Sequence, residues 1–87
     1  MLIEVRMPNE EEISFMTKQP TWSCDSKTFP WTYREQETCL ILEGEVNVKS
    51  ENQEVSFSAG DFVVFPAGLE CVWEVKEPVK KHYKFGG

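Results

Sequence analysis

A single histidine, His82, is all the imidazole that this chain of 87 residues carries. No site that needs two or three imidazoles can be built within it, and the spacing offers no Ser-His-Asp or Cys-His arrangement. Cysteine is almost as scarce. Cys24, Cys39 and Cys71 are odd in number and form no Cys-x-x-Cys pair, which excludes a complete disulfide framework and fits reduced thiols in a cytosolic protein. Positive charge is short too: 9 lysines and arginines stand against 15 acidic residues, for a formal net charge of −6 and a pI near 4.7. Nucleic acids and anionic membranes both require a basic face, so neither is an expected partner. The apolar runs, such as residues 62–65, fall far short of a membrane span. The opening Met1-Leu-Ile-Glu-Val-Arg6 has neither the basic nor the apolar region of a secretory signal. Glycine-rich phosphate loops are absent. These shortages together give the expectation of a cytoplasmic, soluble protein.

What is present is apolar and aromatic. Hydrophobic residues make up 40%, with three Trp, six Phe and two Tyr, enough for a packed core and too much for a disordered chain. The length allows one domain, residues 1–87. So short a chain still exposes a large share of its surface and has a thin stability margin, and a homodimer is expected to widen it. Lys76, Lys80, Lys81 and Lys84 near one end and Glu10-Glu11-Glu12 near the other read as solvated surface.

One segment has helical signals. Asn9 can cap a first turn rich in glutamate, Ile13 and Met16 share a side, and Pro20 stops it. The remainder reads as strands over 2–6, 21–25, 29–33, 37–43, 45–49, 54–57, 62–65, 70–76 and 81–85, parted by turn residues such as Ala59-Gly60-Asp61 and Pro66-Ala67-Gly68. No crossover helices separate them, which excludes a parallel sheet. The expected fold is all-β, a small antiparallel barrel or sandwich with one short N-terminal helix. Leu40-Ile41-Leu42 and Phe62-Val63-Val64-Phe65 are apolar on both faces, so a second layer, either the N-terminal segment or a subunit partner, should cover them. Gly44 marks a bend or bulge, and the flanking Glu43 and Glu45 should face water.

Tyr33 and Glu37 would lie roughly 13 Å apart on one straight strand. The polar spacer Arg34-Glu35-Gln36 is therefore read as a hairpin turn that brings Tyr33 opposite Glu37 and Trp31 opposite Cys39, at about 5 Å between Cβ atoms. Alternation then places Trp31, Tyr33, Glu37, Cys39 and Ile41 on one face, and Cys71, Trp73 and Val75 on one face of a later strand. A buried Glu37 needs a hydrogen bond to Tyr33, a cation such as Arg34, or a proton of its own.

Phe29 to Val75 resembles the cupin superfamily. Its first motif has two histidines, a glutamate and a closing glycine; here Trp31 and Tyr33 take the histidine positions, Glu37 the glutamate and Gly44 the glycine. In the second motif Gly60, Pro66 and Gly68 match, while Cys71 stands at the histidine and Val75 at the asparagine. Trp31-Thr-Tyr33, Glu37-Thr-Cys39, Leu42-Glu-Gly44, Gly60-Asp-Phe-Val-Val-Phe-Pro66 and Lys81-His-Tyr83 look like the small cupins grouped with ureidoglycine aminohydrolase and ethanolamine-utilisation proteins. The resemblance implies a jelly-roll barrel with a pocket lined by Trp31, Tyr33, Glu37, Cys39, Cys71 and Trp73.

It also implies a degenerate metal site, because imidazole ligands have been replaced. No metal and no cofactor are expected, although Glu37, Cys71 and Cys39 could hold zinc if they converged; a buried cysteine otherwise packs as a small hydrophobe. Three functions follow. The first is binding of a small polar organic molecule in the barrel, and the second a hydrolase or isomerase on a small nitrogenous or sugar-like metabolite with Glu37 catalytic. The third is a non-catalytic structural or regulatory dimer. His82 is a lone histidine whose direction the sequence does not give.

Overall fold

Asn9 starts the one helix among the described residues, as expected. Its side chain accepts the Glu12 backbone N–H at 2.8 Å and the Glu12 carboxylate accepts the Asn9 N–H at 3.0 Å, a reciprocal cap that satisfies two of the donors a helix start leaves open. In the computed structural model, which describes residues 1–86, the chain runs β1 (Glu4–Arg6), α1 (Glu10–Met16), β2 (Thr21–Cys24), β3 (Lys27–Thr32), β4 (Glu37–Ser50), β5 (Glu54–Ser58), β6 (Phe62–Phe65) and β7 (Glu70–Phe85). All the strand pairs are antiparallel.

Two long strands organise everything else. β4 and β7 run side by side from Glu37 opposite Phe85 to Ser50 opposite Cys71. The outer edge of β4 carries β6 along its first half and β5 along its second, with β1 beyond β6. The outer edge of β7 carries β3 along its first half and β2 along its second. The result is an antiparallel β-sandwich whose core lies between the two halves, with Tyr33, Cys39, Val46, Val48, Phe57, Val63, Phe65 and Trp73 all enclosed.

Nine strands were expected and seven form among the described residues, because two expected breaks are bulges inside continuous strands. The register of β4 on β7 slips between Ile41 and Val46, where Gly44 has φ +100° and a side-chain carbon would sit 2.4 Å from the Pro78 carbonyl oxygen. A glycine is required there, and Pro78, with no N–H to give, fits the irregular position on the partner strand. Glu43 and Glu45 face water as expected. The second apolar layer over β4 and β6 comes from the N-terminal segment: Met16, fully buried, packs on Leu40 and Phe62.

The hairpin expected at 34–36 does not form. β3 pairs with β7 rather than β4, placing Trp31 opposite Cys71 and not Cys39. Tyr33 donates its N–H to the Leu69 carbonyl at 2.8 Å and accepts from Gly68 at 2.6 Å, whereas Glu37 lies between Phe65 and Phe85. The polar spacer instead carries the chain from one half of the sandwich to the other.

Candidate functional site

Two strand pairings build the site. The start of β4 beside the end of β7 sets Glu37 and Lys81 on the same inner face, and Lys81 Nζ donates to Glu37 Oε2 at 2.9 Å with both side chains 5% exposed. β3 beside the start of β7 brings aromatic rings to the same place. Phe29 stacks on Trp73 with centroids 6.0 Å apart and planes at 18°. Trp22, from β2, stands edge-on to Trp73 at 6.1 Å and 80°. The Lys81 ammonium is held between these indoles, 5.0 Å from the Trp22 ring and 4.7 Å from that of Trp73, where ring quadrupoles favour a cation.

A cavity of about 220 Å³ opens onto this pair, walled by Trp22, Phe29, Trp31, Tyr33 and Trp73 and closed on the remaining side by Tyr83 and Phe85. Among the described residues, Glu37 and Lys81 are its two charged side chains. Tyr33 lies flat on Phe65 with centroids 4.8 Å apart, and its hydroxyl oxygen accepts from Trp73 Nε1 at 3.2 Å. Burial pushes the Tyr33 phenol far above its ordinary range, and the nearby Glu37 carboxylate pushes the same way. Tyr33 is therefore a neutral hydroxyl whose proton remains available to donate.

Of the six residues expected to line the pocket, the structure brings four together: Trp31, Tyr33, Glu37 and Trp73. Trp31 is not an inward residue, since it is 48% exposed and forms the rim, edge-on to Tyr33. Cys39 and Cys71 belong to the packed core behind the cavity. Burial raises the Cys39 thiol to about 12, with the Lys81 ammonium pulling it back and Glu37 pushing it up, and burial raises Cys71 to about 11. Both remain thiols at neutral pH, the form that packs rather than ligates.

The ion-pair partner of Glu37 is Lys81 and not Arg34, and the Tyr33 hydroxyl stands close to the same carboxylate. Lys81 was expected among surface lysines but is buried. Its signal was alternation: Lys81, Tyr83 and Phe85 share one face of β7 and all line the cavity. His82 points the other way, its Nδ1 lying 2.8 Å from the Gln19 carbonyl oxygen.

Residues 11–83 match the EutQ-like cupin domain. The chain belongs to that family. It is similar in structure to a DUF861 family protein from Thermotoga maritima, with 39% identity, a TM-score of 0.91, and coverage of 97% of this chain and 99% of that one. The ethanolamine utilization protein EutQ of Salmonella typhimurium is similar at 29% identity and a TM-score of 0.70, over 76% of this chain and 54% of that one. In sequence, the cupin is 36% identical to "acetate kinase EutQ" of Escherichia coli over 55 residues, 63% of this chain. It spans 24% of that protein's length.

The side chains lining the cavity do not fit a metal ion. Lys81 donates to the Glu37 carboxylate, an ammonium standing beside the group that would meet a metal ion. The Trp31 indole has no ligating atom and Tyr33 keeps its proton, and among the described residues no three of His, Cys, Asp and Glu converge. Nor does any helix among the described residues have the length and apolar character to cross a membrane.

Proposed function

We infer that this cupin domain binds a small polar organic molecule in the aromatic cavity, with Glu37 and Lys81 as the groups that fix its orientation. The observation that carries this reading is the buried ion pair at the edge of a cavity rather than in sealed core. A buried pair is a poor source of stability, because desolvation offsets most of the attraction, whereas convergent polar groups in an otherwise apolar pocket give orientation and specificity. At about 220 Å³ the cavity is below the range of roughly 300–1,000 Å³ that holds drug-sized ligands, so the molecule is a small metabolite. Trp31, Tyr33 and Trp73 would bind through their rings, with Cys39 and Cys71 as backing.

All three tryptophans of the chain line the cavity, so their emission reports its occupancy. Titration with small polar organic molecules should give a saturable change in emission for at least one chemical class. No saturable change with any class would remove the reading.

A second reading rests on the same pair. A proton donor and a proton acceptor 2.9 Å apart beside a ligand-sized cavity suit acid–base chemistry, so a hydrolase or isomerase acting on a small nitrogenous or sugar-like metabolite, with Glu37 as catalytic base, is the alternative. Phosphoryl transfer, named for relatives several times longer, is less well served. Among the described residues Lys81 is the one cation lining the cavity and Glu37 neutralises it, whereas transferring phosphates are clamped by several positive charges.

The setting we propose is cytoplasmic, where the free thiols of Cys24, Cys39 and Cys71 stay reduced, with neither nucleic acid nor membrane as partner. The assembly is a homodimer, for which the exposed Trp31, Val72 and Phe85 supply apolar surface. A structural or regulatory dimer without a ligand is the third reading, and a cavity that takes up no probe would favour it.

A further inference from the structure

Resting on the reading that the cavity binds a ligand, we propose that the ligand is uncharged at its recognised end and presents a hydrogen-bond donor beside an acceptor, as a carboxamide does, on a flat body. The hydrogen bonds at the pair lead to this class. An ammonium has three donors, and among the described residues Lys81 spends one, on Glu37 Oε2. Its remaining donors face the cavity and the indole rings of Trp22 and Trp73. The other oxygen of Glu37, Oε1, has no hydrogen bond of ordinary length among the described residues, with the Tyr33 hydroxyl and the Cys39 thiol standing close to the carboxylate. No fully enclosed side-chain nitrogen or oxygen there lacks a partner, so Oε1 is reached from the cavity its carboxylate lines. The pair therefore offers one acceptor and free donors side by side, and a ligand edge carrying a donor next to an acceptor satisfies both.

Charge selects among such ligands. The pair is already neutral overall. A carboxylate entering the cavity would gain Lys81 but stand against Glu37, and a cation would meet the reverse, each leaving an unbalanced charge in surroundings of low dielectric. Shape comes from the walls: Phe29 stacked on Trp73 and Tyr33 stacked on Phe65 present flat faces against which a planar group packs well.

Benzamide, benzoate and benzamidine are nearly identical in shape and differ in charge, and toluene lacks the polar edge. Titrated separately into the wild-type protein and followed by tryptophan emission, benzamide should bind about tenfold or more tightly than either ion. Glu37→Gln leaves Lys81 unbalanced and should move the preference to benzoate. Lys81→Met leaves Glu37 unbalanced and should move it to benzamidine. Benzoate or benzamidine leading in the wild type would overturn the inference whether or not either variant folds, as would a ranking that neither variant shifts. Toluene binding without any ranking among the three polar probes would overturn the charge argument and leave the cavity as a binding site. Silence from all four would overturn both readings.

Discussion

Glu37 and Lys81 lie 44 positions apart and meet at 2.9 Å, each almost wholly enclosed. They are brought together by the antiparallel register of β4 on β7, in which Ile41 stands opposite Lys81 and Glu37 opposite Phe85. The long side chains of both residues reach along the inner face to close the gap. A pair of this kind contributes little net stability when whole but is costly to break, because the surviving partner is left charged and dry.

Lys81→Met should lower the unfolding free energy by about 3–5 kcal/mol. Glu37→Gln, which keeps an acceptor for the ammonium, should cost somewhat less. Glu37→Leu combined with Lys81→Met should return close to wild type, since an apolar pair of similar volume replaces an ionic one. Urea unfolding of the four proteins measures this, and a Lys81→Met cost within about 1 kcal/mol of zero would mean that water already reaches the pair.

Gly44→Ala should destabilise by roughly 2–6 kcal/mol, combining a strained φ with steric overlap. The added carbon would lie 2.4 Å from the Pro78 oxygen and 2.7 Å from the Val79 Cα, both backbone atoms that cannot swing aside. Gly60→Ala is the control. It shares a positive φ but meets nothing within 4 Å, so its loss should be confined to the backbone cost.

Acid should loosen the junction of α1 with β1. Hydrogen bonding from Arg6, and next from the Asn9 N–H, lowers the Glu12 carboxyl from 4.5 to about 2. A depressed carboxyl stabilises above its unfolded value and loses that contribution as pH falls through its folded value. The difference in urea midpoint between wild type and Glu12→Gln should therefore be full above pH 4.5 and shrink to nothing near pH 2. A difference independent of pH would show that the Arg6 contact is not electrostatic.

Alkali should act on the core thiols. Cys39 and Cys71 rise from 9.0 to about 12 and about 11, and a group whose folded value is raised stabilises fully below the unfolded value and loses that contribution as pH climbs to the folded one. Stability should decline between pH 9 and 12, less steeply in Cys39→Ala than in wild type. Alkylation at pH 8.5 should modify the half-buried Cys24 first, with Cys39 and Cys71 reacting only as fast as the protein unfolds. Rapid labelling of Cys39 would contradict its place in the core.

Some of this was readable along the chain. The Asn9 cap and the stop at Pro20 are local chemistry, and α1 forms where they put it. The inner faces of Tyr33, Cys39, Ile41, Cys71, Trp73 and Val75 followed from simple alternation, because a pleated strand has a period of two whatever its neighbours are. Alternation failed at Trp31, whose strand ends at the open edge of the sandwich, so that facing inward there means facing a cavity mouth. The break at Gly44 was visible, but its consequence was not: a glycine can close a strand or let it bulge, and the approach of Pro78 selects the second.

The sequence by itself determined that this protein is a small antiparallel β-barrel or sandwich with one capped helix, and that Glu37, if enclosed, would need a partner. Which partner was a matter for the tertiary structure. Candidates close in sequence, Tyr33 and Arg34, are favoured by any local reading, but strand pairing is set by burial of whole faces over many residues. That pairing put β7 rather than β3 beside Glu37, and with it a lysine that composition alone assigned to the surface. The aromatic cavity has the same origin: Trp22, Phe29, Trp73 and Tyr83 come from three strands and share no motif, and they meet because β2 and β3 add to the same edge of β7.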